Sequence, residues 1–321
     1  MGNLRVVGDV KIREMDSEDL PDVLGVLRRA LGETALLKRT PELWRWKHVD
    51  NPFGKSLSLV AEADGKIAGV RAMLRWDLET VSGETIRCLR PVDTATDPDF
   101  ERRGIFRALT EAAVGTATDQ GIDLIFNTPN KASGPGYLKM GWQEVGPIGV
   151  MVRPLLRRTG GGPDDVAPDP DDFFKSGTEE AGGPVTDRPA RGLRTPRTPG
   201  YMQWRFAGHP TARYRAINHN GQTAILRPNH RSGRREVVIS ELFGDRPSAA
   251  VRFAARVSRA SYLAGWFSRG TPEWKGALGG GMVPVPGVSA LSLVANPLRD
   301  LSVDVLSLSE WDISLGDLEL L

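Results

Sequence analysis

The sequence predicts an α/β (α+β) protein built twice, as two mixed β-sheet domains with flanking helices. Three observations carry this. Strand and helix patterns alternate through residues 10–153, a set of landmarks recurs further along, and a polar Gly/Pro-rich stretch separates the two halves.

The 321 residues are enough for two ordinary domains. Hydrophobic residues at 40% and charged residues at 26% are the composition of a soluble globular chain. With 42 Lys+Arg against 40 Asp+Glu the net charge is +2, which favours neither a nucleic-acid partner nor an anionic membrane. The single cysteine, Cys88, excludes an internal disulfide and a cysteine-based zinc site, and reads as a small buried strand residue. None of the four histidines forms an H-x-x-x-H pair, so no metal is expected. Residues 1–10 lack a basic-then-apolar signal pattern, and a cytoplasmic location is the expectation. Residues 276–298 carry no charge, yet five glycines and three prolines make them loops and a short strand.

Residues 10–14 read as a first strand. Asp16 and Ser17 then cap a helix with Pro21 in its first turn and Leu20, Val23, Leu24, Leu27 and Leu31 at the 3.6 period. Residues 57–63 and 66–75 flank Asp64-Gly65, the dipeptide of a type I′ hairpin. Strands are expected at 86–96, 121–126 and 142–153, and a helix at 103–119 burying Ile105, Leu109, Ala112 and Ala113. Residues 159–190 hold eight acidic and two basic residues among Gly and Pro and read as a loose linker. Residues 191–275 reverse the balance, with sixteen basic residues against four acidic ones. They read as a solvated arginine-rich surface or a basic wall for an anionic substrate.

The repeat organises the chain. Arg39-Thr40-Pro41 precedes Trp44-Arg45-Trp46 and Asn51-Pro52; Arg197-Thr198-Pro199 precedes Trp204-Arg205-Phe206 and His209-Pro210. Gly65, Ala68 and Arg71 recur as Gly221, Ala224 and Arg227 at a constant offset of 156. The expected organisation is therefore a domain at 1–158, a linker at 159–190 and a second copy at 191–321.

Residues 94–109 carry the chemistry: a strand end, a turn with Arg102, Arg103 and Gly104, then a helix. Open backbone N–H groups at a helix start, together with its dipole, suit a diphosphate, and a glycine lets the backbone approach it. At these residues the chain resembles the GNAT superfamily of acyl-CoA-dependent N-acyltransferases. That family's cofactor motif is Arg/Gln-x-x-Gly-x-Gly/Ala. Gly104 fits its central glycine, whereas Glu101 and Phe106 replace the Arg/Gln and the last small residue. A second block, Asn130 followed by Tyr137-Leu138-Lys139-Met140-Gly141-Trp142, fits the family's Asn…Tyr-x-x-x-Gly-aromatic pattern. The duplicated layout resembles the tandem arrangement of Eis-type acetyltransferases, without room for their third domain.

The resemblance implies acetyl-CoA or a longer acyl-CoA as co-substrate. It implies backbone contacts to the acyl and pantetheine groups from Thr94, Ala95 and Thr96. It implies a pyrophosphate cradle of Arg102, Arg103, Gly104, Ile105, Phe106 and Arg107. Asn130 would touch the pantetheine arm or order its own turn. Tyr137 would protonate the departing thiolate, or else serve as a core aromatic. Asp93 is the candidate general base with Glu62 behind it, the alternative being a salt bridge to Arg90 or Arg71. His48 either lines the acceptor site or is a surface histidine, and Trp44 and Trp46 read as packing.

In the second copy Pro247 removes an N–H where a phosphate cradle wants one, so this copy is expected to be degenerate and to shape the acceptor pocket at the domain junction. Its closing run from Trp311 to Glu319 forms an edge strand or brings acids towards a site. The expected reaction is direct transfer of an acyl group to a primary amine of a small molecule, such as an amino sugar or natural-product amine. The expected partners are that acceptor and a possible second copy of the chain, with no nucleic acid and no membrane. Two other readings remain: an aminoacyl transferase with duplicated GNAT-like domains, which needs no CoA site, and an acyl-CoA-binding module without turnover.

Overall fold

The computed structural model describes residues 5–7, 9–34, 37–155, 191–287 and 291–318. In chain order the elements up to residue 155 are β1 (Arg5–Val7), β2 (Val10–Glu14), α1 (Leu20–Leu31), α2 (Pro41–His48), β3 (Leu57–Ala63), β4 (Lys66–Arg75), β5 (Leu78–Glu79), β6 (Thr85–Ile86), β7 (Cys88–Thr96), α3 (Ile105–Asp119), β8 (Leu124–Asn127), α4 (Gly134–Lys139), β9 (Gln143–Ile148) and β10 (Met151–Pro154). After residue 191 come α5 (Pro199–Met202), β11 (Arg215–His219), β12 (Gln222–Arg231), β13 (Arg234–Phe243), α6 (Pro247–Val257), β14 (Tyr262–Gly265), α7 (Pro272–Gly279), β15 (Val283–Pro284), β16 (Leu291–Pro297) and α8 (Leu315–Leu318). No described helix is long and apolar enough to cross a membrane.

Two mixed sheets result. The eight-stranded one runs β1-β2-β3-β4-β7-β8-β16-β9, and the six-stranded one runs β11-β12-β13-β14-β10-β15. The chain forms two compact units: Met1–Leu78, Thr85–Glu144 and Val294–Ser302 make the first, and Glu79–Glu84, Val145–Leu293 and Val303–Leu321 the second. The boundary expected at residue 158 is therefore not where the sheets divide. The stretch 142–153 breaks at Gly149 and Val150 into two strands, and β10 pairs with β14 in the second sheet, Met151 opposite Gly265. Conversely, Val294 of β16 pairs with Asn127 of β8 in the first sheet. A strand's alternating pattern says which face is buried but not which sheet receives its backbone. The linker expected at 159–190 lies outside the described residues.

In the first unit the hairpin β3–β4 turns as predicted, with Asp64 at φ 52° and Gly65 at φ 70°. Alternation along the strands feeds two cores. On one face Ile12, Leu59, Met73 and Ile125 pack with Ile105, Leu109 and Ala113 of α3. On the other, Val60, Val70, Ala72 and Ala95 pack with Trp44 and with Val23, Leu24, Val26 and Leu27 of α1. Leu31, in the last turn of α1, is 48% exposed, and Val26 joins the buried stripe instead. The second unit builds its core the same way, around Ile217, Leu226, Ile239, Val251 and Leu263.

The repeated Arg-Thr-Pro element does the same job in both units. Thr40 Oγ1 accepts from Leu43 N at 3.2 Å at the start of α2, and Thr198 Oγ1 accepts from Tyr201 N at 3.1 Å at the start of α5. Pro41 and Pro199 follow at the first helical position, where no N–H is needed. The tryptophan shift between the copies falls at a π-helical turn, Gln203–Ala207, which winds more residues into one turn. Thr40→Ala and Thr198→Ala should each cost about 1 kcal/mol of stability, measurable as a lower denaturation midpoint at unchanged m-value. Loss at only one of them would show that the two copies do not share the device.

Candidate active site

The site begins with incomplete strand pairing. β7 and β8 run parallel but pair only at Cys88↔Leu124 and Leu89↔Ile125. Beyond that point β7 continues to Thr96 and β8 to Asn127, and the strands part in a wedge. On its other edge β7 pairs with β4 through a bulge: Val70 faces Ala95 and Ala72 faces Val92, so Arg71 stands opposite both Asp93 and Thr94. Asp93 takes the left-handed conformation, φ 42°, that such an extra residue requires. Thr94 Oγ1 donates to Val92 O at 3.3 Å within the bulge, while Thr96 is paired with Gly69.

Downstream of β7 lies a cradle. Gly104 caps α3 at φ 75°, with nothing within 4 Å of where a Cβ would stand. The first intrahelical bond is Ala108 N to Gly104 O at 3.0 Å, so the N–H groups of Ile105, Phe106 and Arg107 have no partner within the helix. Such a start to a 15-residue helix has the amides and dipole that suit an anion. The exposed Arg103 lies 3.4 Å from Asp64 and 3.5 Å from Asp9, and Arg107 pairs with Glu111 at 2.7 Å. Arg102 adopts φ 64° beside them. Phe106, standing where the motif wants a small residue, turns its ring towards α4. It meets Tyr137 edge-on at 5.6 Å, and a Cβ on Gly136 would come within 3.1 Å of it. Gly136 thus makes room for the bulk that Phe106 introduces.

Tyr137 is 2% exposed and stacks at a tilt on Trp142, 4.6 Å between centroids. Its Oη accepts a hydrogen bond from Arg71 Nη1 at 3.1 Å. Asn130 orders its own turn: its Oδ1 accepts from Ala132 N at 2.9 Å, Ser133 N at 2.8 Å and Ser133 Oγ at 3.1 Å.

Asp93 sits in a nest of basic side chains. Its Oδ1 receives Arg39 Nη1 at 3.1 Å, and its Oδ2 receives Lys47 Nζ at 2.8 Å and lies 3.0 Å from His48 Nε2. Burial pushes its pKa up, but the Lys47 charge and the His48 hydrogen bond overcome this and hold it well below the usual carboxylate range. A carboxylate so stabilised is a weak base. The salt-bridge alternative is the one realised, with Arg39 and Lys47 in place of Arg90 or Arg71. Glu62, the reserve candidate, is held low by its hydrogen bond to Arg13 at 2.8 Å, with Lys11 at 3.3 Å. His48 is neither at the surface nor open. Burial lowers its pKa although Asp93 opposes this, and its Nδ1 lies 2.9 Å from Ser56 Oγ. Trp44 and Trp46 are buried packing residues, and Cys88 is buried with its thiol pKa pushed well up by desolvation.

Sequence reasoning missed Arg71, Arg39 and Lys47. Arg39 and Arg71 had already stood out as landmarks of the repeat. Of their counterparts Arg227 is buried and Arg197 half-buried, and Arg197 Nη2 reaches Glu241 at 2.8 Å and Asp317 at 2.9 Å.

The second unit has a wedge of its own, and it is filled. β13 and β14 pair in parallel from Glu236↔Tyr262 to Ile239↔Gly265. Past that point residues 312–318 enter: Ser268 N donates to Ile313 O at 3.0 Å and Leu315 N to Trp266 O at 3.0 Å. Ser314 Oγ donates to Glu241 at 2.8 Å. Gly316 lies so close that a Cβ would come within 2.6 Å of Glu241 Oε1. At the start of α6, Gln222 Oε1 already accepts from Arg246 N at 2.7 Å, and Pro247 follows without an N–H. The C-terminal run therefore makes both an edge bridge, Phe267↔Ser314, and a source of buried acids, Asp312 and Asp317. A cavity of about 610 Å³ within this unit is lined by five carboxylates, Glu241, Glu273 and Asp312 among them, against Arg194 and Arg197. The basic wall considered for residues 191–275 is not what lines it.

Against known proteins, residues 11–145 match the family model described as an acetyltransferase (GNAT) domain. No curated protein matches at the sequence level. Among solved structures, Eis1 from Mycobacterium abscessus is 15% identical with a TM-score of 0.56, covering 90% of this chain and 73% of that one. A putative acetyltransferase from Pyrococcus horikoshii is 10% identical with a TM-score of 0.57, covering 98% and 96%. A tandem GNAT protein from the clavulanic acid biosynthesis pathway is 14% identical with a TM-score of 0.53, covering 91% and 100%. At these identities the structures speak for the fold, and the family model speaks for the domain. Residues 11–145 therefore carry a GNAT acetyltransferase domain, and the chain as a whole has a fold similar to that of tandem GNAT proteins.

Proposed function

We propose that this protein transfers an acyl group from acetyl-CoA, or a longer acyl-CoA, directly to a primary amine of a small molecule. The observation that carries the reading is the early end of the β7–β8 pairing, in a unit that also holds the helix-start amides of Ile105, Phe106 and Arg107 and the Tyr137 phenol. Gly104, without a Cβ, lets the diphosphate approach those amides, and Arg102, Arg103 and Arg107 add charge around them. The unpaired edge of β7 through Thr94, Ala95 and Thr96 supplies backbone groups for the pantetheine and acyl carbonyl. Asn130 keeps α4 in place, and Tyr137 gives its proton to the leaving sulfur. The match to a tandem protein of the clavulanic acid pathway supports a natural-product amine as acceptor, with an amino sugar in the same chemical class.

The second copy is proposed to bind no acyl-CoA, since its wedge holds the chain's own C-terminal residues and Gln222 occupies the helix-start amide. Calorimetry should find one CoA per chain, and a panel of primary amines should release free thiol from acetyl-CoA. Two equivalent sites would overturn the degenerate-copy reading. CoA binding without turnover on any amine would leave a binding module. Turnover from an aminoacyl donor without CoA binding would favour an aminoacyl transferase.

Tyr137→Phe should lower kcat by about 10²- to 10⁴-fold, the usual contribution of a placed acid. It also removes the acceptor of the buried Arg71 Nη1, so stability should fall by about 1–3 kcal/mol. A stability loss with unchanged kcat would make Tyr137 a core residue only.

Asp93 is read as the charge that holds Arg39, Lys47 and His48 together, with the amine's proton leaving to water. Because its folded pKa is depressed, its contribution is present above the unfolded carboxylate value of about 3.9 and is lost as pH falls below it. Asp93→Asn strands Lys47 and Arg39 and should cost about 3–5 kcal/mol at neutral pH. The gap to wild type should narrow below about pH 4. A constant gap down to pH 3 would refute this charge role.

A further inference from the structure

Arg71 is a fully buried guanidinium with an unusual balance of partners. Among the described residues no carboxylate lies within ion-pair distance of it, and its Nε and Nη2 are buried without a hydrogen-bond partner. Its one hydrogen bond goes to Tyr137 Oη at 3.1 Å. Its guanidinium carbon stands 5.0 Å from the Phe106 ring centroid and 5.5 Å from that of Tyr137. The bulge places it there, because Arg71 is the β4 residue opposite Asp93 and Thr94. Leaving two donors of a charged group buried and unpaired is costly, and such a cost persists where a ligand supplies the missing acceptor. Asp93, on the opposite side of the bulge, is already engaged by two cations, Arg39 and Lys47, and by His48, and so is not available to neutralise it.

We propose that Arg71 is the positioning and charge-balancing residue of the acyl-transfer step, acting through Tyr137 and holding the acyl-thioester end of the co-substrate with its open Nε and Nη2. This rests on the role given to Tyr137 above. A guanidinium can only donate, so Tyr137 Oη must accept from it, and the phenol's own hydrogen is directed elsewhere. As the amine nitrogen bonds to the acyl carbon, the C–S bond breaks with its electron pair on sulfur. The Oη–H proton passes to that sulfur, and the phenolate left behind lies against the Arg71 charge. The proton shed by the amine goes to water, and water returns one to Tyr137.

The test compares Arg71→Met, Arg71→Gln and Tyr137→Phe with the double variant Arg71→Met/Tyr137→Phe, each confirmed folded by circular dichroism. Arg71→Met should lower kcat by about 10- to 100-fold, the worth of a charge-assisted hydrogen bond, with KM for acetyl-CoA changed only a few-fold. Ethylguanidinium added to Arg71→Ala should restore part of the rate, which a packing role would not allow. In the Tyr137→Phe background Arg71→Met should cost less than in wild type, keeping only the part owed to its thioester contact. Arg71→Gln keeps a donor without charge and carries the same comparison if the methionine variant does not fold. Wild-type kcat in a folded Arg71 variant, or losses that multiply in the double variant, would overturn the inference. If Tyr137→Phe itself turns over normally, the Tyr137 reading fails first, and a guanidinium-rescued loss at Arg71 would then stand apart from it.

Discussion

Where Asp93 and Thr94 of β7 face Arg71 alone on β4, one strand carries a residue more than its neighbour, and the rest of the candidate site follows from that mismatch. The extra residue twists β7 and re-aims the side chains around it. Asp93 goes towards Arg39, Lys47 and His48, while Arg71 meets Tyr137. The same strand has already lost its pairing with β8 beyond Leu89. The bulge thus sets both the charge nest at Asp93 and the Arg71–Tyr137 contact, on a strand whose pairing with β8 has already ended.

Charge is distributed unevenly across the bulge. Asp93 is over-supplied, with Arg39, Lys47 and His48 around one carboxylate. That explains both its depressed pKa and its unsuitability for taking a proton from an ammonium group. Arg71 is under-supplied. Buried polar groups are normally satisfied, so an unpaired guanidinium beside a phenol marks where an incoming group is expected.

The second unit uses the same parts with the opening closed. Its Arg-Thr-Pro element caps a helix as in the first unit, and Arg197 finds a strand carboxylate, Glu241, as Arg39 finds Asp93. The difference lies in the wedge. Residues 312–318 satisfy the backbone groups of Trp266 and Ser268, and Gly316 fits only because it has no side chain. Gln222 caps the helix start that in the first unit remains open.

The sequence by itself determined the local elements, the duplication and the family motifs. The Asp64-Gly65 turn and the glycine-capped helix at 105 are set by nearest neighbours, and both are realised in the fold. Tyr137 and Gly104 were legible because a motif spaces them. Arg71 was visible as a repeat landmark but not as a site residue, since its meaning depends on a bulge partner more than twenty positions away. Only the tertiary structure decided that β10 and β16 lie in the sheets they do, that Asp93 is a charge hub, and that the C-terminal run fills the second wedge. The reason is physical: backbone hydrogen bonds and ion pairs between distant segments leave no period in the chain, and only the folded arrangement pairs them.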